Sequence, residues 1–458
     1  MHNHLGKLFG KIKILAKKQI NLATAIAGAL IMLGLVLTPW NNLSRQDVAP
    51  APTPTAAPAA AVIPATPETA SKPAVTLASL QSKDAYNGLP VANVKYYPVD
   101  GAQGTVILLP QYHRDPTTTD IYSASNDSGV RNQQQTAQIM KYLVDDGHVN
   151  LVMVEGDLQG DVPQSKIDHT KAEMAARDQF AQSIKDLQQA LDNNHLNPAM
   201  EQQLMGQLNQ ELDKVNRDIW LQSAPYVLKA QGENLSLIGS ENQQNLDKAT
   251  AVVRNYVYIN DRLAQVSQRT ASPQLGMGGQ PVGNPLSMGG NPLSGINAQG
   301  IQQLLQMLGM GNGQGNVAQG LSALQSMAQS KGDSQLVSVL TQTQQAYQNL
   351  ESSTKTATAV TSGPSRADNP YANISDPVKL QQMLKESEQQ INDVVINQRN
   401  QEAASSLAQA MKDRGQDVAM LQFGAGHEDT LVPTLNAQKL NVIVITTNEV
   451  ASRAGQEA

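Results

Sequence analysis

Cysteine is absent from this chain of 458 residues, and only 3% of the residues are aromatic. Without cysteine there can be no disulfide, thiolate zinc site, cysteine nucleophile or lipid-modified cysteine anchor. Three Phe and two Trp provide few large side chains for a core, so we expect part of the chain not to fold compactly. There is no basic excess either, because the net charge is −6, and this argues against nucleic acid as the main partner.

The N-terminus does contain one long apolar run. A basic segment with five lysines and no acidic residue occupies 1–20, and the residues that follow are apolar almost without interruption to Trp40. About 20 apolar residues are enough to cross the hydrocarbon core of a membrane. We therefore predict a cytoplasmic tail over 1–20 and a transmembrane signal anchor over 21–40, with the main domain extracytoplasmic. A cleaved signal peptide is the alternative, and it would make the domain a secreted one.

Two further stretches have compositions that do not favour a packed core. Residues 41–84 are rich in Pro and Ala, which favours an extended linker. Residues 269–373 contain glycine-rich segments, and a Gly-Asn-Pro-Leu-Ser unit occurs at both Gly283–Ser287 and Gly290–Ser294. We predict that this second stretch is a low-complexity insert, largely disordered, with a glutamine-rich helix near 335–351.

Four short apolar runs each lead to a polar residue that could take part in chemistry. The runs and the polar residues that follow are Thr105–Pro110 with His113, Leu151–Val154 with Glu155, Leu235–Ile238 with Glu241, and Val418–Phe423 with His427. Aliphatic runs with helical patterns between them are typical of buried parallel strands. Ligands of open α/β sheets bind beyond the carboxyl ends of the strands, so we expect these side chains to meet at one edge.

The predicted fold class is therefore α/β, with a mostly parallel sheet and flanking helices. The polar helical pattern over 164–231 predicts a helical insertion or cap over the strand ends. The predicted folded parts are 85–268, which includes this insertion, and 374–450, followed by a tail over 451–458.

The order of the motifs resembles the TraB/Tiki/erythromycin-esterase/ChaN-like superfamily, and within it a TraB/GumN-like member. The matching elements are Leu151–Glu155, the pair Arg399-Asn400, and Gly424-Ala425-Gly426-His427 with the helix and strand that follow. At the first motif the chain has Pro110-Gln111-Tyr112-His113, with Pro where the family usually has Gly. The resemblance covers about 200 residues in two separated blocks, and it implies the site residues His113, Glu155, Arg399 and His427.

Two mechanisms fit these residue types. His113, Glu155 and His427 could bind a divalent metal that activates water, as Tiki-like members imply. Alternatively, a histidine could deprotonate water directly while a glutamate orients it, as esterase-like members imply. In the metal-dependent mechanism Arg399 could then hold a substrate carboxylate or stabilise an oxyanion. The ChaN-like branch implies haem binding without catalysis.

Each residue also has a purely structural interpretation. His113 could bond to a backbone carbonyl, Glu155 could pair with a lysine, and Arg399 could be a solvated charge on a polar helix. Glu241 precedes a helix, where a carboxylate in the first turn is favoured by the helix dipole, so capping and catalysis are both open for it.

We therefore predict a membrane-tethered extracytoplasmic hydrolase-like protein that acts on a peptide or ester. Its catalytic candidates are His113, Glu155, Glu241, Arg399 and His427. The alternative is a non-catalytic protein of the same superfamily that binds haem, metal or a partner. The sequence leaves the substrate, the metal and the oligomeric state open.

Overall fold

Seven strands form one mixed sheet in the part of the chain that the structure describes. The structure is a computed structural model, and it describes residues 76–114, 120–193, 196–271, 317–358 and 369–456. The strands are β1 Val91–Tyr97, β2 Gly104–Gln111, β3 Leu151–Leu158, β4 Gly160–Asp161, β5 Ser236–Glu241, β6 Val418–Gly424 and β7 Leu440–Thr447. Their order across the sheet is β1-β7-β2-β6-β3-β5-β4.

The helices cover both faces of the sheet and extend beyond it. They are α1 Ala124–Asp145, α2 Gln164–Asn193, α3 Pro198–Trp220, α4 Ala224–Ala230, α5 Gln243–Ala271, α6 Val317–Lys331, α7 Ser334–Thr358, α8 Pro377–Gln390, α9 Arg399–Asp413, α10 Glu428–Ala437 and α11 Asn448–Gln456. A π-helical segment, Ile391–Gln398, joins α8 to α9. Short 3-10 turns lie at Ser79–Gln81, Lys83–Tyr86 and Ala425–His427.

The centre of the sheet is parallel and its two edges are antiparallel. Strand β2 pairs in parallel with β6 and β7, and β3 pairs in parallel with β6 and β5. The edge strands β1 and β4 run antiparallel to β7 and β5. As a result β2, β6, β3 and β5 are neighbours with their carboxyl ends at the same edge, where ligands of such sheets bind.

Successive residues of the central strands enter two different cores, as the two-residue period of a strand requires. Ile107 and Val152 pack with α1 and α4 on one face. Val106 and Met153 pack with α9 and α10 on the other face. Because both faces of the sheet are covered, the strands are apolar almost throughout, and this is the pattern that predicted them.

Helices α2, α3, α4, α6 and α7 form a cap with an apolar core of its own. Phe180 of α2, Leu208 of α3, Leu324 of α6 and Leu340 of α7 are all buried in this core. The cap is joined to the sheet through α4, whose Leu228 packs into the core beneath the sheet.

The structure differs from the sequence-based boundaries in three places. Within the stretch predicted to be largely disordered, residues 317–331 form α6, which was not predicted, whereas α7 corresponds to the glutamine-rich helix predicted near 335–351. The leucines of both helices recur at helical spacing and fill the cap core. The linker predicted to end at 84 ends earlier, since Leu80 is already buried in the main core. The predicted tail includes most of α11, which packs on α1 and β1.

The described helices contain no segment that is long and apolar enough to cross a membrane. The predicted anchor over 21–40 lies outside the described residues, as do the two Gly-Asn-Pro-Leu-Ser units.

Candidate functional site

Arg399 lies between two glutamates at the carboxyl edge of the sheet. Its Nε and Nη2 donate to both oxygens of Glu241, at 2.5–3.2 Å. Nη2 also donates to Glu155 Oε1 at 3.1 Å. All three side chains are buried. Arg399 therefore binds two carboxylates of the protein itself, whereas the sequence had suggested a role in holding a substrate carboxylate.

A bulge in β3 and the last residue of β6 position Glu155. The register between β3 and β5 shifts after Val154, and Gly156 adopts φ 90° there, a left-handed conformation that favours glycine. The N–H of Gly424 donates to Glu155 Oε2 at 2.6 Å. A Cβ at Gly424 would lie 3.3 Å from that same oxygen, so glycine allows this close approach.

The two histidines lie on either side of Glu155. His113 Nε2 is 3.3 Å from Glu155 Oε2, and His427 Nε2 is 3.8 Å from Glu155 Oε1. His427 Nδ1 is 2.6 Å from Asn400 Oδ1. His113 Nδ1 and His427 Nε2 are buried and have no hydrogen-bond partner among the described residues. The structure therefore brings His113, Glu155, Glu241, Arg399 and His427 into one cluster, in which His427 is only 1% exposed.

The π-helical segment immediately before α9 orients Arg399 and Asn400. Both residues are buried although they are consecutive in a helix. Arg399 reaches the glutamates and Asn400 reaches His427. A π turn changes the rotational phase of a helix and is frequently found at functional sites.

Burial and neighbouring charges shift the pKa values of Glu155 and His427. Burial raises the pKa of Glu155. The attraction of Arg399, together with smaller contributions from the two histidines, outweighs burial, so the pKa of this carboxyl lies well below its usual range. Burial lowers the pKa of His427 to about 4, and the attraction of Glu155 only partly offsets this. At neutral pH the cluster therefore contains an ionised Glu155 beside a neutral His427 imidazole.

Buried amide side chains support the strand ends from the opposite face. Gln133 of α1 donates to Gln111 Oε1 and to the carbonyl of Tyr112, both at 2.9 Å. Its own Oε1 accepts from Gln422 Nε2 of β6 at 2.8 Å. These bonds hold the end of β2, and with it His113, against β6.

Ion pairs connect the cap to the same edge of the sheet. Arg114, next to His113, pairs with Asp218 of α3, and Asp157 at the end of β3 pairs with Lys166 of α2. Burial raises the pKa of Asp157, and Lys166 partly offsets that effect. The cap is thus bound on two sides of the cluster.

Sequence reasoning did not identify several residues that complete the site. Asn400 was noticed only as part of the Arg-Asn pair, and Thr430, which accepts from Asn400 Nδ2 at 2.7 Å, gave no signal at all. Gln133 and Gln422 look like ordinary polar residues in a helix and a strand. A glutamine inside an otherwise apolar strand, such as Gln422, is the one pattern that could have been used.

The predicted metal ligands His113, Glu155 and His427 do not fit a resident metal ion in this arrangement. Among the described residues, no group of three or more His, Asp or Glu side chains has the geometry to hold one. Both oxygens of Glu155 already accept hydrogen bonds, from Arg399 on one side and from Gly424 and His113 on the other. The guanidinium of Arg399 also supplies the positive charge that a cation would supply there. The ligand set remains a prediction that metal analysis can test.

Comparison of the chain with models of protein families, with curated proteins and with solved structures finds no match. The resemblance to the TraB/Tiki superfamily therefore remains a hypothesis that depends on the motifs alone.

The neutral His427 predicts a specific loss of stability in acid. Its folded pKa of about 4 lies below the unfolded value of 6.5. The unfolded chain therefore takes up this proton first as the pH falls, and stability is lost between pH 6.5 and 4, by up to about 3 kcal/mol. Urea unfolding of the wild type and His427→Gln at pH 7, 5.5 and 4 measures this loss. The variant should lack it, and identical pH dependence in the two proteins would show that His427 is not a buried neutral group.

Proposed function

We propose that this protein is a membrane-tethered extracytoplasmic hydrolase that cleaves an ester or peptide bond by general-base catalysis. The observation that carries the proposal is the 3.8 Å separation between His427 Nε2 and Glu155 Oε1. Two acceptors this far apart can both receive hydrogen bonds from one water molecule. The water oxygen would then direct a lone pair at a substrate carbonyl carbon.

In the proposed reaction His427 is the general base. The water oxygen bonds to the carbonyl carbon while a water proton moves to Nε2 of His427. The resulting tetrahedral intermediate expels the alcohol or amine, which takes that proton from His427 as the carbon–oxygen or carbon–nitrogen bond breaks. The low pKa of His427 keeps the ring in its basic form at neutral pH. Arg399 keeps Glu155 ionised, so that Glu155 orients the water and stabilises the imidazolium as it forms.

Burial of the cluster also supports a chemical role over a structural one. Removing several charges from water is expensive, and buried ion pairs are often no more stabilising than apolar side chains of the same size. Perturbed ionisable groups in such an arrangement are more frequent at functional sites. The membrane-tethered location depends on the sequence only, through the apolar run over 21–40 that predicts an anchor.

We expect His427→Gln to reduce hydrolysis at least about 100-fold, because glutamine can accept a hydrogen bond but cannot take the proton. The full-length chain, purified in detergent, is assayed on a panel of chromogenic esters and fluorogenic peptides. His148→Asn is the matched control, because His148 is exposed and has φ 54°, a conformation that asparagine tolerates. Activity of this control should equal that of the wild type.

The same preparation separates the proposed reaction from the alternatives. Turnover that survives chelation supports the direct mechanism, whereas turnover that needs a stoichiometric metal would overturn it. The non-catalytic alternative predicts no turnover of any substrate, together with bound metal or the visible absorbance of haem. Full activity of His427→Gln would refute the assignment of the base.

A further inference from the structure

Three groups form a directed chain of hydrogen bonds around His427. The hydroxyl of Thr430 donates to the carbonyl of His427 at 3.3 Å. Its oxygen can then accept from Asn400 Nδ2, at 2.7 Å. This places the amide oxygen of Asn400 against His427 Nδ1, at 2.6 Å. Because an amide oxygen only accepts, the hydrogen of the neutral ring must lie on Nδ1.

This position of the hydrogen, on Nδ1, is the opposite of the one that the nearest charge would favour. Glu155 is ionised, and its Oε1 lies 3.8 Å from His427 Nε2. If Nε2 carried the hydrogen, a small movement of the ring would allow it to donate to Glu155, and a hydrogen bond to a carboxylate is about twice as strong as a neutral one. The free Nε2 lone pair would then be lost.

We infer that Asn400 is a positioning residue, fixed by Thr430, that holds His427 in its Nδ1–H tautomer and so keeps the Nε2 lone pair available. The consequence for turnover rests on the proposed function, but the tautomer itself does not. Asn400 touches neither water nor substrate in this assignment and acts only through His427.

The tautomer can be measured directly by NMR. The chain contains seven histidines, so the full-length protein labelled with 15N-histidine gives a small set of two-bond ¹H–¹⁵N correlations. The spectrum of His427→Gln identifies the signals of His427. We expect the pattern of an Nδ1–H ring in the wild type. Asn400→Leu, which removes the acceptor and keeps the size, should convert it to the Nε2–H pattern, and Asn400→Asp, which keeps an acceptor, should not.

A second pair of variants tests the inference if Asn400→Leu fails to fold. Thr430→Val removes the hydroxyl that fixes the amide, so it should produce a mixture of tautomers, whereas Thr430→Ser should retain the wild-type pattern. An Nε2–H ring in the wild type would overturn the inference. An unchanged tautomer in a folded Asn400→Leu variant would also overturn it. If Asn400→Leu does not fold, an unchanged tautomer in Thr430→Val would overturn it instead.

Activity distinguishes this inference from the proposed function. Asn400→Leu should lower kcat about 100-fold with little change in KM, because substrate contacts are retained while the base is lost. A tautomer that switches in a protein that hydrolyses nothing on the panel supports the positioning role and refutes the proposed function. A switch with unchanged kcat supports the positioning role and refutes His427 as the base.

Discussion

Replacing Arg399 with methionine is expected to destabilise the domain by about 3–5 kcal/mol at pH 7, since it leaves buried carboxylates without a counter-charge. Arg399 is 2% exposed and donates to both Glu155 and Glu241. Methionine fills a similar volume but donates no hydrogen bond. The free energy of unfolding is measured by urea titration with circular dichroism detection.

The dependence of this effect on pH identifies its cause. Without the guanidinium, the pKa of Glu155 should rise, because burial then disfavours its charged form and the attraction of Arg399 is gone. Protonation would relieve the unpaired charges, so the cost of Arg399→Met should shrink as the pH falls from 7 to 4. A cost that is independent of pH would indicate lost packing in place of lost charge pairing.

Two further variants are the controls for Arg399→Met. Arg131→Met removes an exposed arginine that pairs with Glu449, and such surface pairs contribute about 0–1 kcal/mol. Adding Glu155→Gln and Glu241→Gln to Arg399→Met should recover much of the stability, because neutral amides cost less to bury. If Arg399→Met behaves like Arg131→Met, the buried cluster is not organised as described.

The edge that carries the cluster could be predicted because buried parallel strands have a simple signature. An apolar run such as Leu151–Val154 can be recognised without knowledge of its neighbours, and the residue after it must emerge at the carboxyl edge. The same reasoning predicts that Glu155, Glu241 and the two histidines lie on one edge, whatever the order of the strands. The strand order β2-β6-β3-β5 then makes their four strands adjacent.

The partners within the cluster could not be predicted in the same way. Whether Arg399 meets a substrate or Glu241 depends on the phase of α9, which the π-helical segment Ile391–Gln398 changes without an obvious sequence signal. The antiparallel strand β1 was missed because only some of its residues are buried, so it lacks a continuous apolar run. Tertiary contacts, and not local preference, determine both features.

Composition was misleading for residues 317–331, because the ordered helix α6 lies within a stretch that is rich in glycine. Val317, Leu321, Leu324 and Ala328 recur every three or four residues, so they form one apolar stripe along α6. An average over 269–373 hides this stripe. The period of the apolar residues, taken in short windows, is therefore a better guide here than the mean composition.

Leu324→Asp should therefore unfold the cap, although the residue lies within a stretch whose composition suggested disorder. Leu324 is fully buried among side chains of the cap core, and a carboxylate placed there has no counter-charge in that apolar cluster. We expect a loss of at least about 3 kcal/mol, since burying an unpaired polar or charged group is among the most damaging single changes. Hydrogen exchange over α2, α3, α6 and α7 measures the loss region by region.

Ser326→Asp is the matched control for Leu324→Asp, because Ser326 is exposed on the same helix two residues away. It adds the same charge to α6 and should change protection by no more than about 0.5 kcal/mol. The sheet should remain protected in both variants, because its two cores contain no residue of α6. The proposed hydrolysis should nevertheless be slower in Leu324→Asp. The cap contacts β6 through the bond from Ser223 to Gln422, and it contacts Arg114, the residue after His113, through Asp218. Equal protection of the cap in the two variants would mean that α6 is not part of its core.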